Sequence, residues 1–375
     1  MKSWTVRATQ EVSYEVRQTR GVLGLDNPDL ADAAGLEAGA RRLVVVDREV
    51  CRIYGAGIRA YFRHRDVDPV LLVLPADESN KTAASVFKVA DAADHVGLNR
   101  RSDPIVAIGG GVLTDVVGLA ASLYRRGTPY VRVPTTLIGL VDAAVGVKTA
   151  VNYHSHKNRL GTYFPAAVTL LDQGFLQTLP VRHIVNGLAE IIKMAVVRDA
   201  GLFDLLDDNA ERLIEQMAQG DLGRRVIESA VAGMLGELTP NLWEHDLKRL
   251  VDFGHTFSPS IELAVDPPLL HGEAVAIDMA LSCLIAQERG LLSSAETQRS
   301  LGLMRSVGLP LSHPRVTPEA LIDGLAEATR HRDGNQHVPL PRGLGRTVFV
   351  EDIKPGEIRR AQRRSFELTG MWEAA

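Results

Sequence analysis

Residues 105–165 read IVAIGGGVLTDVVGLAASLYRRGTPYVRVPTTLIGLVDAAVGVKTAVNYHSHKNRLGTYFP. The apolar run Ile105 to Ile108 ends in Gly109-Gly110-Gly111 and passes straight into a helical pattern opened by Thr114 and Asp115. Consecutive glycines at the carboxyl end of a strand let backbone N–H groups approach an anion with no Cβ in the way. The charged positions of this stretch, chiefly Asp115, Arg125, Arg126, Asp142, Lys148 and Lys157, stand among small and apolar residues. That is the texture of a cleft lining rather than of a solvated face. A site for a phosphorylated nucleotide is the first expectation.

The same alternation extends outward. Leu43–Val46 ends in Asp47, Val70–Leu74 in Pro75, Tyr130–Val133 in Pro134-Thr135-Thr136, and Val168–Leu171 in Asp172. Short β-branched runs separated by helical stretches indicate βαβ units and a mostly parallel sheet. Ligands of such sheets bind at the carboxyl ends of the strands, where Asp47, Glu78, the glycines and the two threonines fall. Beyond about Pro180 long amphipathic runs follow, at Ile184–Arg198, Leu202–Met217, Leu222–Leu238, His271–Arg289, Ala295–Val307 and Pro318–Thr329. They predict an α-helical second half. A late segment, Gly345 to Ile353, reads as a strand returning to the sheet. The expected fold is α/β plus all-α, with domains over 1–181 and 182–375 and the active site between them.

The chain has 375 residues, 45% apolar and 23% charged, enough for two ordinary soluble domains. A net charge of −4 argues against nucleic acid as the main partner. Two distant cysteines, Cys51 and Cys283, exclude a disulfide framework and point to buried thiols in a reducing compartment. The N-terminal MKSWTVRATQEVSYEVRQ has no apolar signal region, and the hydropathic stretch 105–123 is broken by glycines and Asp115. A cytoplasmic protein without a membrane partner is expected.

Three places in the second half carry chemistry. Glu190 and Lys193 lie three apart in GLAEIIKMAV and share one helix face. His255 stands in DFGHTFSPSIE, and His271 follows sixteen residues later in LLHGEAVAIDMA. Taken singly, these read as a surface ion pair and two structural histidines. Their apolar surroundings favour buried, partnered groups. One carboxylate and two imidazoles with an open fourth position form a common catalytic zinc set, although ligands so far apart in sequence make a weak pattern. On the nucleotide side, Asp47 suits either a ribose hydroxyl or a helix cap. Lys148 and Lys157 suit either phosphate or the surface.

In order along the chain, GGGVLTD, YRRG, VPTTLIGLVDAAVGVKTAVN, HKNRLG, FLQTLP, GLAEIIK, DFGHTF and LLHGEAVAIDMA resemble the motifs of the sugar-phosphate cyclases, the superfamily of dehydroquinate synthase. The resemblance spans nearly the whole chain. It implies a Rossmann-like NAD-binding domain, an α-helical metal domain, and NAD that is reduced and reoxidised within each turnover. Glu190, His255 and His271 fall on the ligands of Zn²⁺, with Co²⁺ as an alternative ion. Asp47, the segment Glu78 to Lys81, Gly110, Gly111, Val112, Thr114, Asp115, Thr135, Thr136, Asp142, Lys148, Lys157, Phe175, Leu176 and Thr178 fall on cofactor positions. Asp142, Lys148, Asn158 and Lys193 fall on substrate positions. Arg126 falls on an arginine that reaches the phosphate in a neighbouring subunit's site, which implies a homodimer.

Departures from the family pattern bear on the substrate. Dehydroquinate synthase holds a C1 carboxylate with a lysine and an arginine, whose places here align with Met234 and Lys248. Replacing one cation by a thioether removes a charge-assisted bond of roughly 1.5–3 kcal/mol. The family's asparagine three residues before the metal histidine is Asp252, an acceptor suited to hydroxyls, and its second histidine is Pro259. His331 aligns with a further lysine. The pocket thus fits the neutral head of sedoheptulose 7-phosphate, and NLWEHDL, DFGHTFSP and HKNRLGTY are most similar to 2-epi-5-epi-valiolone synthases. That resemblance implies transient oxidation, phosphate elimination, reduction and an intramolecular aldol closure. Other readings are 2-epi-valiolone synthase and demethyl-4-deoxygadusol synthase on the same substrate, then 3-dehydroquinate synthase, then a metal-dependent NAD alcohol dehydrogenase.

Overall fold

The computed structural model describes residues 1–154, 156–265 and 267–370, so the last five residues of the expected helical half lie outside the described residues. The first half is built on strands β1 (Glu15–Gln18), β2 (Arg41–Asp47), β3 (Asp68–Leu74), β4 (Ile105–Gly109), β5 (Tyr130–Pro134) and β8 (Val168–Leu171). A hairpin of β6 (Lys148–Tyr153) and β7 (His156–Tyr163) stands apart from them. The six strands run parallel in the order β1-β8-β5-β4-β2-β3. Helices α1 (Asp29–Ala34), α2 (Arg48–Arg63), α3 (Ala83–Val96) and α4 (Gly111–Leu123) connect and cover the sheet.

Alternation along β2 explains why both faces are covered. Leu43 and Val45 enter one apolar cluster with Val86 and Val117, while Val44 and Val46 enter another with Ile58 and Phe62. The strand order reverses between β2 and β4, so the ligand crevice of this topology opens beyond Asp47 and Gly109. Gly110 caps α4 without a side-chain partner, which leaves the helix's first N–H groups free of a protein acceptor from a cap.

The second half contains α5 (Val181–Val197), α6 (Ala200–Glu215), α7 (Gly220–Leu238), α8 (Ser258–Ala264), α9 (His271–Glu288), α10 (Ser294–Ser306), α11 (Pro318–His331) and α12 (Pro355–Thr369). Helix α9 is buried on all sides from Ala274 to Ala286 and forms the axis of this half. Its first turn meets α5 at Gly272, where a Cβ would lie 2.1 Å from the Asn186 carbonyl oxygen. The Gly272 N–H donates to Asn186 Oδ1 at 2.6 Å, which locks the contact one turn from Glu190. Gly254 adopts φ +75°, and a Cβ there would meet Met279 and Val275 of α9 at 2.8 and 2.9 Å. These two glycines bring His271 and His255 to α5. Among the described residues no helix is long and apolar enough to cross a membrane.

The late segment does not return to the sheet. Strand β10 (Thr347–Val350) pairs antiparallel with β9 (Val338–Pro341), and this hairpin packs within the helical half. Pro339 and Pro341 have no N–H to donate, which keeps the ladder short and two-stranded. The Gly345 N–H and the Thr347 hydroxyl instead bond the Val196 and Val197 carbonyls at the end of α5.

Candidate active site

Glu190 and Lys193 project from α5 into the interior, 1% and 2% exposed. Lys193 Nζ lies 2.5 Å from Glu190 Oε2. Glu190 Oε1 faces His271 Nε2 at 3.2 Å and His255 Nε2 at 3.8 Å. Burial alone would raise the Glu190 carboxyl, but Lys193, His255 and His271 together hold it well below the usual carboxylate range. Burial, helped by Lys193, presses His255 down to about 4. Burial also opposes the charge of His271, yet the neighbouring carboxylates of Glu190 and Glu262 keep its proton on up to about 10.

The outer nitrogens are fixed as metal-binding imidazoles require. His255 Nδ1 bonds the Phe253 carbonyl at 3.1 Å and His271 Nδ1 bonds Glu262 Oε1 at 3.0 Å, so both Nε2 atoms turn toward Glu190. Donor atoms of Glu190, His255 and His271 lie within 4.8 Å of one another. Neither Glu190 oxygen has a well-aligned hydrogen-bond donor although both are buried. A divalent cation taking the three donors would satisfy that carboxylate and displace the His271 proton.

Glu262, on α8, was not singled out by sequence reasoning, although it closes the quoted DFGHTFSPSIE. Its second oxygen pairs with Lys157, which also lies 3.7 Å from Glu78. Burial opposes its charge, but His271 and Lys157 bring its carboxyl down to about 2.

On the nucleotide side, Asp47 is the cap of α2: its Oδ1 accepts from the N–H groups of Glu49 and Val50 at 2.8 and 3.1 Å. Gly110, Gly111, Val112, Thr114 and Asp115 form the end of β4 and the first turns of α4. Thr135 and Thr136 follow β5, and a Cβ on Gly110 would press on the Thr136 methyl at 3.1 Å. Lys81 is buried and bridges Asp115 at 2.7 Å and Asn158 at 2.5 Å. Burial raises the Asp115 carboxyl and Lys81 opposes that rise. Phe175 and Leu176 are buried, Phe175 edge-on to Tyr54, and the Thr178 hydroxyl meets the Tyr54 hydroxyl at 2.9 Å.

Toward the substrate side, Asp142 sits in a π-helical turn at 139–143. Lys148 opens β6 and pairs with Glu244. Its side chain is 55% exposed, and desolvation together with the neighbouring Arg249 lowers its ammonium to about 8. Asp252 is buried with both oxygens engaged, Oδ1 by Arg249 at 2.5 Å and Oδ2 by Arg332 at 3.1 Å. Burial favours its protonation, yet Arg249, Arg332 and Lys148 keep it below the usual range.

Two expected site residues stand elsewhere. Lys248 points to Glu351 at 2.9 Å and is 46% exposed, while the next residue, Arg249, enters the site. His331 is exposed at the end of α11, and it is Arg332 that turns inward. Arg126 is exposed in a turn with φ +61°. Met234 is buried in the apolar cluster of the helical half.

The chain is similar to known proteins over most of its length. The family model for the N-terminal part of 3-dehydroquinate synthase matches residues 71–186, and that for its C-terminal part matches residues 187–330. Over 368 residues the chain is 55% identical to a 2-epi-5-epi-valiolone synthase of Streptomyces hygroscopicus subsp. jinggangensis, covering 96% of this chain and 88% of that protein. A demethyl-4-deoxygadusol synthase of Trichormus variabilis is 39% identical, over 96% of this chain and 89% of its own. The solved structure of a 2-epi-5-epi-valiolone synthase from the same Streptomyces, with NAD⁺ and Zn²⁺ bound, matches at a TM-score of 0.94, covering 97% of this chain and 100% of that one, at 55% identity.

Glu262→Gln keeps the shape of the side chain but removes the charge that orients His271. Affinity for Zn²⁺, titrated against a competing chelator, is expected to fall about 10- to 100-fold. Unchanged affinity would exclude an orienting role for Glu262.

Proposed function

The chain belongs to the 3-dehydroquinate synthase family, and within it we propose a sugar-phosphate cyclase that converts sedoheptulose 7-phosphate into 2-epi-5-epi-valiolone and phosphate. The observation that carries this reading is 55% identity to a 2-epi-5-epi-valiolone synthase over 96% of the chain, with the three-donor cluster assembled in the fold.

Glu190, His255 and His271 would hold Zn²⁺, and the uncapped start of α4 at Gly110–Val112 would receive the cofactor's phosphates. When bound, NAD⁺ accepts and returns a hydride while Zn²⁺ acts as a Lewis acid on substrate oxygens. Lys148 and Lys193 stand close enough to share electrostatic influence, and in this reading they neutralise the substrate phosphate as it leaves. In this reading Asp142, which acts on Lys148 and Lys193, and Asn158, held by Lys81, orient substrate hydroxyls. Holding both ends of a seven-carbon chain in one cleft favours closure of the ring over reaction with water.

Incubation with sedoheptulose 7-phosphate, Zn²⁺ and sub-stoichiometric NAD⁺ is expected to give a cyclitol identifiable by NMR over many turnovers, without growth of NADH absorbance. NADH accumulating in step with product, or a preference for the carboxylated heptulosonate phosphate, overturns the reading.

The Lys148 ammonium must be protonated to pair with phosphate, and it loses its proton near about 8. Turnover, as kcat/KM, is therefore expected to fall as pH rises through about 8, and Lys148→Arg is expected to shift that alkaline limb upward. A profile with no alkaline limb contradicts the assignment.

Exposed Arg126 belongs to the same proposal as a residue that completes a neighbouring subunit's phosphate site in a homodimer. Equilibrium sedimentation is expected to show a two-subunit species, and a monomer at active concentrations removes that role.

A further inference from the structure

Arg249 and Arg332 come from separate elements, one from the approach to the 250–252 turn and the other from the end of α11. Both meet Asp252. Arg249 Nη2 reaches Oδ1 at 2.5 Å and Arg332 Nη2 reaches Oδ2 at 3.1 Å. The remaining bonds fix the arginines in place, Arg249 to Glu244 and Arg332 to the Gln336 carbonyl at 3.1 Å. The side chains of Arg249, Asp252 and Arg332 are 16%, 11% and 5% exposed. Asp252 also lies within electrostatic reach of Lys148, Lys193 and His255, so this bridge forms a wall of the site.

Two guanidiniums converging on the two oxygens of one carboxylate form a receptor for a carboxylate. Here the protein itself supplies the guest. Simple repulsion of an anionic substrate by Asp252 does not fit the surroundings, because each of its two oxygens is already paired with a guanidinium. Arg249 Nε is buried without an acceptor, so the arrangement retains unspent donor capacity.

We infer that Asp252 is an internal carboxylate occupying a cationic subsite built by Arg249 and Arg332, and that this occupancy makes the pocket select a neutral sugar head over a carboxylated one. Arg249 and Arg332 are thus specificity-determining positions, whereas the family's carboxylate-holding places align with Met234 and Lys248. The inference rests on the cyclase reading above and names the groups through which it discriminates.

The test measures affinity, so it needs no turnover. Full-length enzyme loaded with Zn²⁺ and NADH, which cannot oxidise either sugar, is titrated calorimetrically with sedoheptulose 7-phosphate and with the heptulosonate 7-phosphate. Asp252→Ala is expected to shift the ratio of the two affinities at least about tenfold toward the acid, since two guanidiniums are released to bind it. Asp252→Asn, which preserves the shape of the turn, is expected to shift it in the same direction and serves where the alanine variant does not fold. Adding Arg332→Met or Arg249→Met to either variant is expected to return the ratio to within about threefold of the unmodified enzyme. No shift in the Asp252 variants overturns the inference. So does a shift that survives both arginine substitutions, because it would then reflect removal of a charge alone. Failure of the cyclase reading shows separately, as absence of cyclitol from unmodified enzyme.

Discussion

A carboxylate buried to 1% in an otherwise apolar helix sets the terms for the rest of this molecule. Glu190 is flanked along α5 by Leu188, Ala189, Ile191 and Ile192, none of which can solvate it. Taking such a charge out of water costs several kcal/mol unless it is paired. Lys193, three residues on, supplies one partner from the same helix. The others must come from elsewhere in the chain, and two close backbone approaches deliver them. Gly272 lets the first turn of α9 press against Asn186, and Gly254 lets the following loop lie on Val275 and Met279. Side chains at either position would separate the imidazoles from the carboxylate.

The support extends through a second buried acid. Asp278, on α9, accepts the N–H groups of Phe257 and Ser258 at 2.5 and 2.9 Å and so holds the start of α8. Burial raises its carboxyl to about 6 even against those donors. Helix α8 in turn carries Glu262, which orients His271. The three clustered donors are therefore set by a closed circuit running from α5 to α9, from α9 to α8 through Asp278, and back to His271 through Glu262.

Much of this was legible in the sequence, and the limits have physical causes. The parallel sheet was readable because β-branched runs such as LVVV and IVAI need cover on both faces, and each ends in a residue unsuited to continuing a strand. Glu190, His255 and His271 were readable as unusual polar residues in apolar runs. Glu262 was not, since nothing local distinguishes an orienting carboxylate from a solvated one seven residues after a histidine. Lys248 and His331 show another limit. Each is one residue away from the cation that enters the site, and a single-residue step across a turn or a helix end reverses which side chain faces inward. Alignment locates the segment, whereas packing chooses the residue. The β6–β7 hairpin escaped notice as a structural unit because it lies off the sheet and buries only alternate residues of β6.

That hairpin is also where the halves of the molecule are joined electrostatically. Lys148 at the start of β6 pairs with Glu244, and Lys157 on β7 pairs with Glu262. Tyr163, opposite Lys148 in the hairpin register, donates to the other oxygen of Glu244 at 3.2 Å and packs edge-on against Trp243. Both lysines thus extend from the sheet half to carboxylates of the helical half. Neither of these carboxylates is free of the site's chemistry: Glu262 also holds His271, and Glu244 also holds Arg249, which holds Asp252. The two ion pairs thus set the hairpin against both the Glu190–His255–His271 cluster and the Asp252 bridge.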